Sequence, residues 1–213
     1  MPKRKENYLQ TIWKLRAEVR RLKELAVRDE LTGLLNRRGF NEFAAPFLKA
    51  ARVSRSGVER RKKRVVSGYA VVIFDLDRFK RLNTTHGHRG GDAVLQAFAH
   101  LLLERVSGMD LVARWGGEEF VLLFPGASAE DAYRIAEEIR KKVERMFVVW
   151  HARKSRGRGT NFTVSAGVAD FSIAFDFDDV LGHADGALFR AKKEGRNCVV
   201  VYGRDKQSSL QLA

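Results

Sequence analysis

Apolar side chains recur along the first 27 residues at alternating spacings of four and three. The positions are Tyr8, Ile12, Leu15, Val19, Leu22 and Ala26, with lysine, arginine and glutamate between them. This heptad pattern is typical of a coiled-coil seam and predicts an amphipathic helix over 1–27. Because fewer than three full repeats are present, two arrangements stay open: a parallel dimer seam, or a helix packed on the domain that follows.

The pattern of residues 28–205 is mixed and predicts alternating strands and helices. Strands are indicated at 69–77, 111–115, 120–124, 161–171 and 198–202, and helices at 41–52, 90–106, 128–147 and 177–195. A strand, a helix, a hairpin, a helix and further strands in this order favour an α+β fold with helices against a central, mostly antiparallel sheet. Residues 206–213 are expected to form a C-terminal tail.

Composition limits the classes of protein that fit. The chain has 213 residues, 45% of them hydrophobic, which is enough for one sizeable core. No apolar run approaches the ~18 residues that a membrane span needs, and the N-terminus is charged from Lys3 onward, unlike a secretory signal. We therefore expect a cytoplasmic protein without a membrane span. The single cysteine, Cys198, is expected at a buried strand position among valines.

The net charge of +14 predicts attraction to anions. Much of the excess lies in 52–64 and 151–159, which show no helical or strand periodicity and are typical of solvated loops. Neither run follows a known nucleic-acid motif, and the first contains no aromatic residue for base stacking. A basic nucleic-acid-binding protein remains an alternative that rests on charge alone, and no stable nucleic-acid partner is expected.

Two aspartates follow the most apolar predicted strand. Asp75 and Asp77 stand where this strand gives way to a helix start, with Lys80 just beyond. Carboxylates can hold a hard divalent cation there, while helix N–H groups and a lysine receive phosphate oxygens. The pattern favours metal-bound triphosphate, although Asp77 can equally serve as a helix cap.

The two short strands at 111–115 and 120–124 enclose the sequence Gly116-Gly117-Glu118-Glu119. Glycine permits a tight turn and close approach of a ligand to the backbone. Two adjacent glutamates repel each other unless a cation or partner offsets them, and a purely structural turn would favour Asn-Gly or Asp-Gly. A metal-binding or catalytic role is therefore the stronger interpretation.

Five motifs resemble, in order, those of the GGDEF-domain diguanylate cyclases. They are RDELTGLLNRRGF (28–40), FDLDRFKRLNTTHGHRGGDAVL (74–95), ARWGGEEF (113–120), VSAGVA (164–169) and HADGALFRAKKEGRN (183–197). The resemblance covers about residues 28–204. It implies a ferredoxin-like core related to the palm of polymerases and nucleotidyl cyclases. It also implies the condensation of two GTP into cyclic di-GMP with release of two pyrophosphates.

The same resemblance assigns roles to individual residues. Asp75, Glu118 and the backbone carbonyl of Leu76 would hold two Mg²⁺ or Mn²⁺ ions in each half-site, with Glu118 as the proposed base and Glu119 close to the metals. The substrate-binding residues would be Phe79, Lys80, Asn83, His88, Asp92, Lys192 and Arg196. Of these, Phe79 and Lys80 match phosphate contacts, and Lys192 and Arg196 would grip the outer phosphates. Asn83 and Asp92 match the positions that read guanine, and His88 lies near the nucleotide.

The resemblance also predicts a homodimer, because the two phosphodiester bonds of the product form between two bound GTP molecules across a two-fold axis. The main alternative is an inactive GGDEF-like module that binds GTP or cyclic di-GMP and regulates a partner. Thr32, Asn36 and Arg37 are expected to have a structural role. One departure concerns the family's Arg-x-x-Asp inhibitory motif, where Ser107 replaces the arginine before Asp110. Weak product inhibition is therefore expected.

Overall fold

The computed structural model describes residues 2–55, 68–150, 158–173 and 176–204. Five helices are seen in this part of the chain: α1 (Pro2–Val27), α2 (Arg37–Arg55), α3 (Phe79–Leu103), α4 (Ala129–Glu144) and α5 (Phe177–Lys193). The strands are β1 (Leu35–Asn36), β2 (Tyr69–Leu76), β3 (Leu111–Gly116), β4 (Glu119–Pro125), β5 (Phe147–Trp150), β6 (Arg158–Asn161), β7 (Val164–Asp170) and β8 (Val199–Val201).

Six strands form the main sheet in the order β1-β3-β4-β2-β7-β8. The four middle strands pair antiparallel, whereas β1 pairs parallel with β3 and β8 parallel with β7 at the two edges. Helix α3 connects β2 to β3, and α4 precedes β7, which gives the βαββαβ order of a ferredoxin-like core. The predicted α+β class with a mostly antiparallel sheet is confirmed.

Strand β2 is buried on both faces, which explains its continuous apolar run. Ala70, Val72 and Phe74 pack in the cluster that α3 and α4 cover. Tyr69, Val71 and Ile73 project to the other face, toward α2 and α5. Because side chains alternate along a strand, Asp75 lies on the α5 face of the sheet.

Helix α5 packs against the backbone of β7 at Gly167. A Cβ atom at this position would lie 2.0 Å from the Ala184 carbonyl oxygen and 2.3 Å from the Leu188 nitrogen. Only glycine permits this approach, because those neighbours are backbone atoms. The close packing fixes the distance between α5 and the ends of the central strands.

The seam of α1 faces solvent. Tyr8, Leu15, Val19 and Leu22 are each more than half exposed, so α1 does not bury its apolar stripe on the domain. The alternative of a docked helix is therefore wrong, and the seam is available to a partner. Among the described residues, no helix is long and apolar enough to cross a membrane.

Several predicted helix boundaries need correction: the helix predicted at 41–52 spans Arg37–Arg55, and the one predicted at 177–195 ends at Lys193. The helix predicted at 90–106 belongs to α3, which already begins at Phe79 and has a non-helical residue, Gly87 (φ 74°, ψ 169°), inside it. The helix predicted at 128–147 ends at Glu144. Ser128 caps this helix in a capping box with Asp131, as its sequence indicates.

A short hairpin of β5 and β6 was missed by the sequence analysis. Its strands have four residues each and pair antiparallel, and Trp150 is buried with its ring 5.3 Å from that of His86. Tertiary contact rather than periodicity stabilises so short a hairpin. The predicted strand at 161–171 accordingly begins only at Val164.

The two basic runs are only partly described. Residues 52–55 end α2, and residues 158–159 belong to β6, so this part of the second run is a strand and not a loop. The rest of both runs and the tail at 206–213 lie outside the described residues. Cys198 is half-buried just before β8, rather than buried within a strand as expected.

Candidate functional site

Strand β2 and the β3–β4 turn bring three carboxylates to one edge of the sheet. Asp75 lies opposite Glu119 in the β2–β4 register, and the Leu76 N–H donates to the Glu118 carbonyl oxygen at 3.3 Å. Cross-strand partners project to the same face, so Asp75 and Glu119 share the α5 side. We call Asp75, Glu118 and Glu119 the carboxylate edge.

Lys192 supplies a cation to the carboxylate edge from the last turn of α5. Its Nζ lies 2.8 Å from the Asp75 Oδ2, and the Asp75 side chain is 8% exposed. The approach depends on the close packing of α5 at Gly167 described above. Lys192 therefore lies within the site in which the sequence placed it, with Asp75 as its partner.

The electrostatics of the carboxylate edge disfavour ionisation. Burial raises the pKa of Asp75, an effect that the Lys192 ammonium opposes. Burial also raises the pKa of Glu118 and of Glu119, and the negative charge of Asp75 adds to both shifts. Like charges held this close favour a bound cation, and such perturbed groups mark functional sites.

The donor set fits a hard divalent cation. No cluster of three or more His, Cys, Asp or Glu side chains in the described part of the chain is arranged as a complete metal cage. Mg²⁺ does not require one, because it is commonly bound by one or two carboxylates, with waters and substrate phosphates as further ligands. Asp75, Glu118 and the Leu76 carbonyl offer only oxygen atoms, which suits Mg²⁺ or Mn²⁺.

An arginine fixes the turn that carries Glu118. Arg114 donates from Nε (3.0 Å) and Nη2 (2.8 Å) to the carbonyl oxygen of Gly117, which has a φ of 46°. Its Nη1 donates to both carboxylate oxygens of Asp29, at 3.1 and 3.2 Å. Asp29 in turn accepts from the Thr32 N–H and hydroxyl. The β3–β4 turn is thereby tied to the segment directly after α1.

The sequence analysis missed the roles of Arg114 and Asp29. Both lie within quoted motifs, yet they are 85 positions apart, and nothing in the sequence pairs them. The residues expected to be structural do have that role. Asn36 donates to the Ala26 and Arg28 carbonyl oxygens, and Arg37 stacks over the Trp115 ring at 4.9 Å.

Asp77 belongs to a hydrogen-bond network rather than to the carboxylate edge. It accepts from the Thr163 hydroxyl (2.7 Å), the Ser165 hydroxyl (2.6 Å) and the Asn197 N–H (3.0 Å). The N-cap of α3 is Arg78, without a side-chain capping bond. Of the two roles considered from the sequence, metal ligand or cap, the structure therefore supports neither for Asp77.

Five of the predicted site residues line one surface cleft of about 460 Å³. They are Phe79, Lys80, Asn83, His88 and Glu118, and Thr84 joins them. Phe79 as a whole is only 7% exposed, so a phosphate contact from this residue is expected through the backbone at the start of α3 rather than through the apolar ring. The cleft thus places the predicted nucleotide contacts beside the turn of the carboxylate edge.

Asn83 has an unused acceptor in this cleft. Its Oδ1 is buried and has no hydrogen-bond partner, which is costly unless a ligand supplies a donor. Gly91 makes room for it, because a Cβ there would lie 2.0 Å from that Oδ1. A donor on a ligand can reach this oxygen only if the Asn83 side chain turns from Gly91 toward the cleft.

Three predicted substrate contacts lie apart from the cleft lining: Lys192, which pairs with Asp75, and the exposed residues Asp92 and Arg196. Asp92 is exposed, so its carboxylate is not buried by the protein alone. Arg196 is also exposed and lines a second cleft, although its charge still lowers the pKa of Asp75 slightly against the effect of burial. Asp92 and Arg196 are therefore expected to contact the nucleotide only once it is bound.

The incomplete inhibitory motif forms a closed turn. The Ser107 N–H donates to the Asp110 carboxylate at 2.7 Å. The nearby arginines are engaged elsewhere: Arg114 binds Asp29 and Gly117, and Arg105 lies 3.9 Å from Glu138. Weak product inhibition at this position stays a prediction.

Comparison with known proteins identifies relatives of the whole fold. The family model described as the GGDEF domain of diguanylate cyclases matches residues 26–198. Diguanylate cyclase DgcM of Escherichia coli is 37% identical over 84% of this chain. The response regulator PleD of Caulobacter vibrioides is 39% identical over 83% of it. The chain spans only 39% and 36% of the lengths of these two proteins.

Solved structures share the architecture. The coiled coil and GGDEF domain of DgcB from Caulobacter crescentus, solved with c-di-GMP, matches 93% of this chain and 97% of its own, with a TM-score of 0.79 and 27% identity. Diguanylate cyclase SiaD of Pseudomonas aeruginosa, solved with its activator SiaC, matches 92% of this chain and 68% of its own (TM-score 0.70, 33% identity).

The match at 26–198 includes the carboxylate edge, the cleft beside it and Lys192. It also covers most of the chain. The chain therefore belongs to the GGDEF-domain family of diguanylate cyclases.

Proposed function

We propose that the chain condenses two GTP molecules into cyclic di-GMP and releases two pyrophosphates, with Mg²⁺ or Mn²⁺ as the cofactor. One observation carries the proposal: Asp75, Glu118 and Glu119 converge with Lys192 beside a cleft lined by Lys80 and Asn83. Family membership and the names of the relatives support the same reaction. An inactive binding module would have no need to keep crowded carboxylates with raised pKa values.

Different residues would bind the guanine base and the phosphates of GTP. Asn83 can accept from the guanine amino group through its unpaired Oδ1, and Asp92 lies nearby in sequence to accept from the same edge of the base. Lys80 and the backbone at Phe79 face the phosphates from the start of α3. Lys192 and Arg196 attract the outer phosphates.

The carboxylate edge meets the reacting phosphorus. Asp75, Glu118 and the Leu76 carbonyl would hold the divalent cations, which favour the 3′-oxygen nucleophile and neutralise the departing pyrophosphate. Glu118 is placed on the turn to accept the proton of the 3′-hydroxyl, helped by burial that raises its pKa. Glu119 adds negative charge next to it. Lys192 can leave Asp75 for a phosphate when the cation binds.

Product formation requires two copies of the chain. Each copy has one cleft of this composition among its described residues, and each 3′-oxygen must face the other nucleotide's α-phosphate. The exposed seam of α1 offers a contact that can hold two copies side by side. We therefore propose a homodimer as the active species.

Incubation with GTP and Mg²⁺, followed by separation of the nucleotides, tests the reaction. Cyclic di-GMP should form with the wild type and not with Glu118→Gln, while Glu42→Gln, an exposed glutamate on α2, should behave as the wild type. ATP should be consumed far more slowly. Binding of GTP without any turnover would support the regulatory module instead.

A double substitution that adds two negative charges to α1 tests the proposed dimer. Leu15→Glu with Val19→Glu places like charges in the exposed seam without touching the sheet. Specific activity should then depend more steeply on protein concentration. An unchanged dependence would show that α1 does not hold the dimer together.

A further inference from the structure

A second cleft, of about 530 Å³, opens on the other side of the first turns of α3. Its walls come from α3, from β6 and the residues after it, from the end of α4, and from the loop after α5. The charged residues in its lining are Asp77, Arg78, Arg81, Glu144 and Arg196. Asp77 is two residues after Asp75, so the cleft opens next to the carboxylate edge.

The two clefts use opposite faces of the same helical segment. Arg78, Arg81, Leu82 and Thr85 line the second cleft, and their spacing of three, one and three residues defines one helix face. The nucleotide cleft takes residues 79, 80, 83 and 84. The second cleft is therefore a separate surface and not an extension of the base pocket.

The charge of the second cleft is unbalanced. Asp77 keeps its negative charge among three uncharged donors, whereas Glu144 is paired with Arg140, so three arginines of the lining face one acid without a cationic partner of its own. Within the described residues, none of Arg78, Arg81 and Arg196 lies within 4.0 Å of an acid, although the Arg196 charge is close enough to Asp75 to lower its pKa. Three guanidinium groups around one concave surface favour a ligand with several negative charges.

Two of these arginines have a backbone conformation that costs energy. Arg78 has a φ of 56° and Arg196 a φ of 68°, in the left-handed region where glycine is favoured and other residues are strained. A glycine would fit either backbone better.

We propose that this second cleft binds a diphosphate or a longer oligophosphate through Arg78 and Arg81, in addition to Arg196. The source of the ligand rests on the proposed function: pyrophosphate released at the carboxylate edge leaves the nucleotide on the side where Arg196 stands. Guanidinium groups form bidentate, charge-assisted bonds with phosphate oxygens. The cleft then receives the leaving group on the face of α3 opposite to the base.

Direct binding to the full chain tests the subsite without turnover. Isothermal titration with inorganic pyrophosphate and with tripolyphosphate compares the wild type with Arg81→Ala, Arg78→Gly and the control Arg38→Ala, an exposed arginine on α2. Arg81→Ala and Arg78→Gly should each weaken binding by roughly tenfold. Arg38→Ala should change it less than about twofold, which measures the general effect of losing one charge.

The stability of Arg78→Gly separates a lost contact from a damaged fold. Glycine relieves the left-handed strain but adds freedom to the unfolded chain, so the melting temperature should stay close to that of the wild type. Equal affinities of Arg81→Ala, Arg78→Gly and Arg38→Ala for tripolyphosphate would overturn the proposal.

The result is independent of the cyclase reaction. Arginine-dependent binding of tripolyphosphate by a chain that does not turn over GTP would reject the proposed function and keep the subsite. Turnover of GTP with pyrophosphate inhibition that is the same in the wild type and in Arg81→Ala would reject the subsite and keep the function.

Discussion

Two aspartates at the end of β2 have opposite surroundings. Asp77 is surrounded by three donors from two other segments, whereas Asp75 meets one lysine and two further carboxylates. Both are nearly buried, at 9% and 5% exposure. Burial alone therefore does not separate a structural carboxylate from a reactive one; the supply of donors does.

The same contrast extends to the rest of the chain. Burial acts to raise the pKa of Asp29, but hydrogen bonds from Thr32 and Arg114 outweigh it and lower that pKa. A hydrogen bond from Asn197, with one from Arg140, lowers the pKa of Glu144. Carboxylates whose donors are complete stabilise the fold, and those whose donors are missing await a ligand.

The largest effect is expected from Asp75→Asn. Turnover of GTP should fall by at least roughly a thousandfold, because a neutral amide supplies less charge to a divalent cation. The free energy of unfolding should change by less than about 1 kcal/mol, since the partly exposed Lys192 can turn to solvent. Product analysis and urea denaturation measure the two quantities. A variant that keeps wild-type turnover would remove Asp75 from the site.

Asp77→Ala should show the reverse pattern. The Thr163 and Ser165 hydroxyls and the Asn197 N–H would each lose the carboxylate to which they donate a hydrogen bond. The free energy of unfolding should fall by about 3 kcal/mol. Residual activity per folded molecule should exceed that of Asp75→Asn. If the urea midpoint did not move, the distinction between the two aspartates would fail.

Asp29→Asn tests how a carboxylate that accepts several hydrogen bonds affects the pH dependence of stability. Its lowered pKa means that the folded state favours the ionised form, so the stabilisation is present above the unfolded value of about 3.9 and is lost as pH falls through the folded value. The wild type should be more stable than the variant by about 1.5 kcal/mol at neutral pH. Denaturation curves across the acid range should converge. A gap that persists at the lowest pH would point to packing instead.

The smallest effect is expected from Glu144→Gln. Glu144 has two donors, but its side chain is 46% exposed, and solvent screens such pairs. The free energy of unfolding should fall by about 0.5 kcal/mol. Urea denaturation at low and high salt measures it, and a loss as large as that of Asp77→Ala would show that donors matter regardless of exposure.

The sequence is informative where chemistry is local. Three short stretches have compositions that are unusual for a structural role. They are the glutamates of the β3–β4 turn, the aspartates at the end of β2, and the lysines and arginine at the end of α5. The α+β class with a mostly antiparallel sheet follows from periodicity and from the positions of turn residues, and the family resemblance implies the ferredoxin-like core. These features need no knowledge of distant contacts.

Long-range partners could not be predicted. The donors of Asp77 are 86, 88 and 120 positions away, so its sequence neighbourhood looked like that of Asp75. Each strand of the β5–β6 hairpin has too few residues to show the apolar–polar alternation of a strand. In addition, β5 begins shortly after the charged end of α4. The exposure of Asp92 could not be predicted either, because it depends on the tertiary position of α3.

The Arg114 bridge makes the β3–β4 turn and the segment after α1 a single thermodynamic unit. One side chain holds the Gly117 carbonyl and the Asp29 carboxylate together, so local opening at either end breaks bonds that the other shares. Linkage is reciprocal: any ligand that stabilises the closed turn must slow amide hydrogen exchange at Thr32, whose N–H binds Asp29. The hydrogen-exchange rate of the Thr32 amide, in the segment after α1, thereby reports whether a ligand is bound at the β3–β4 turn.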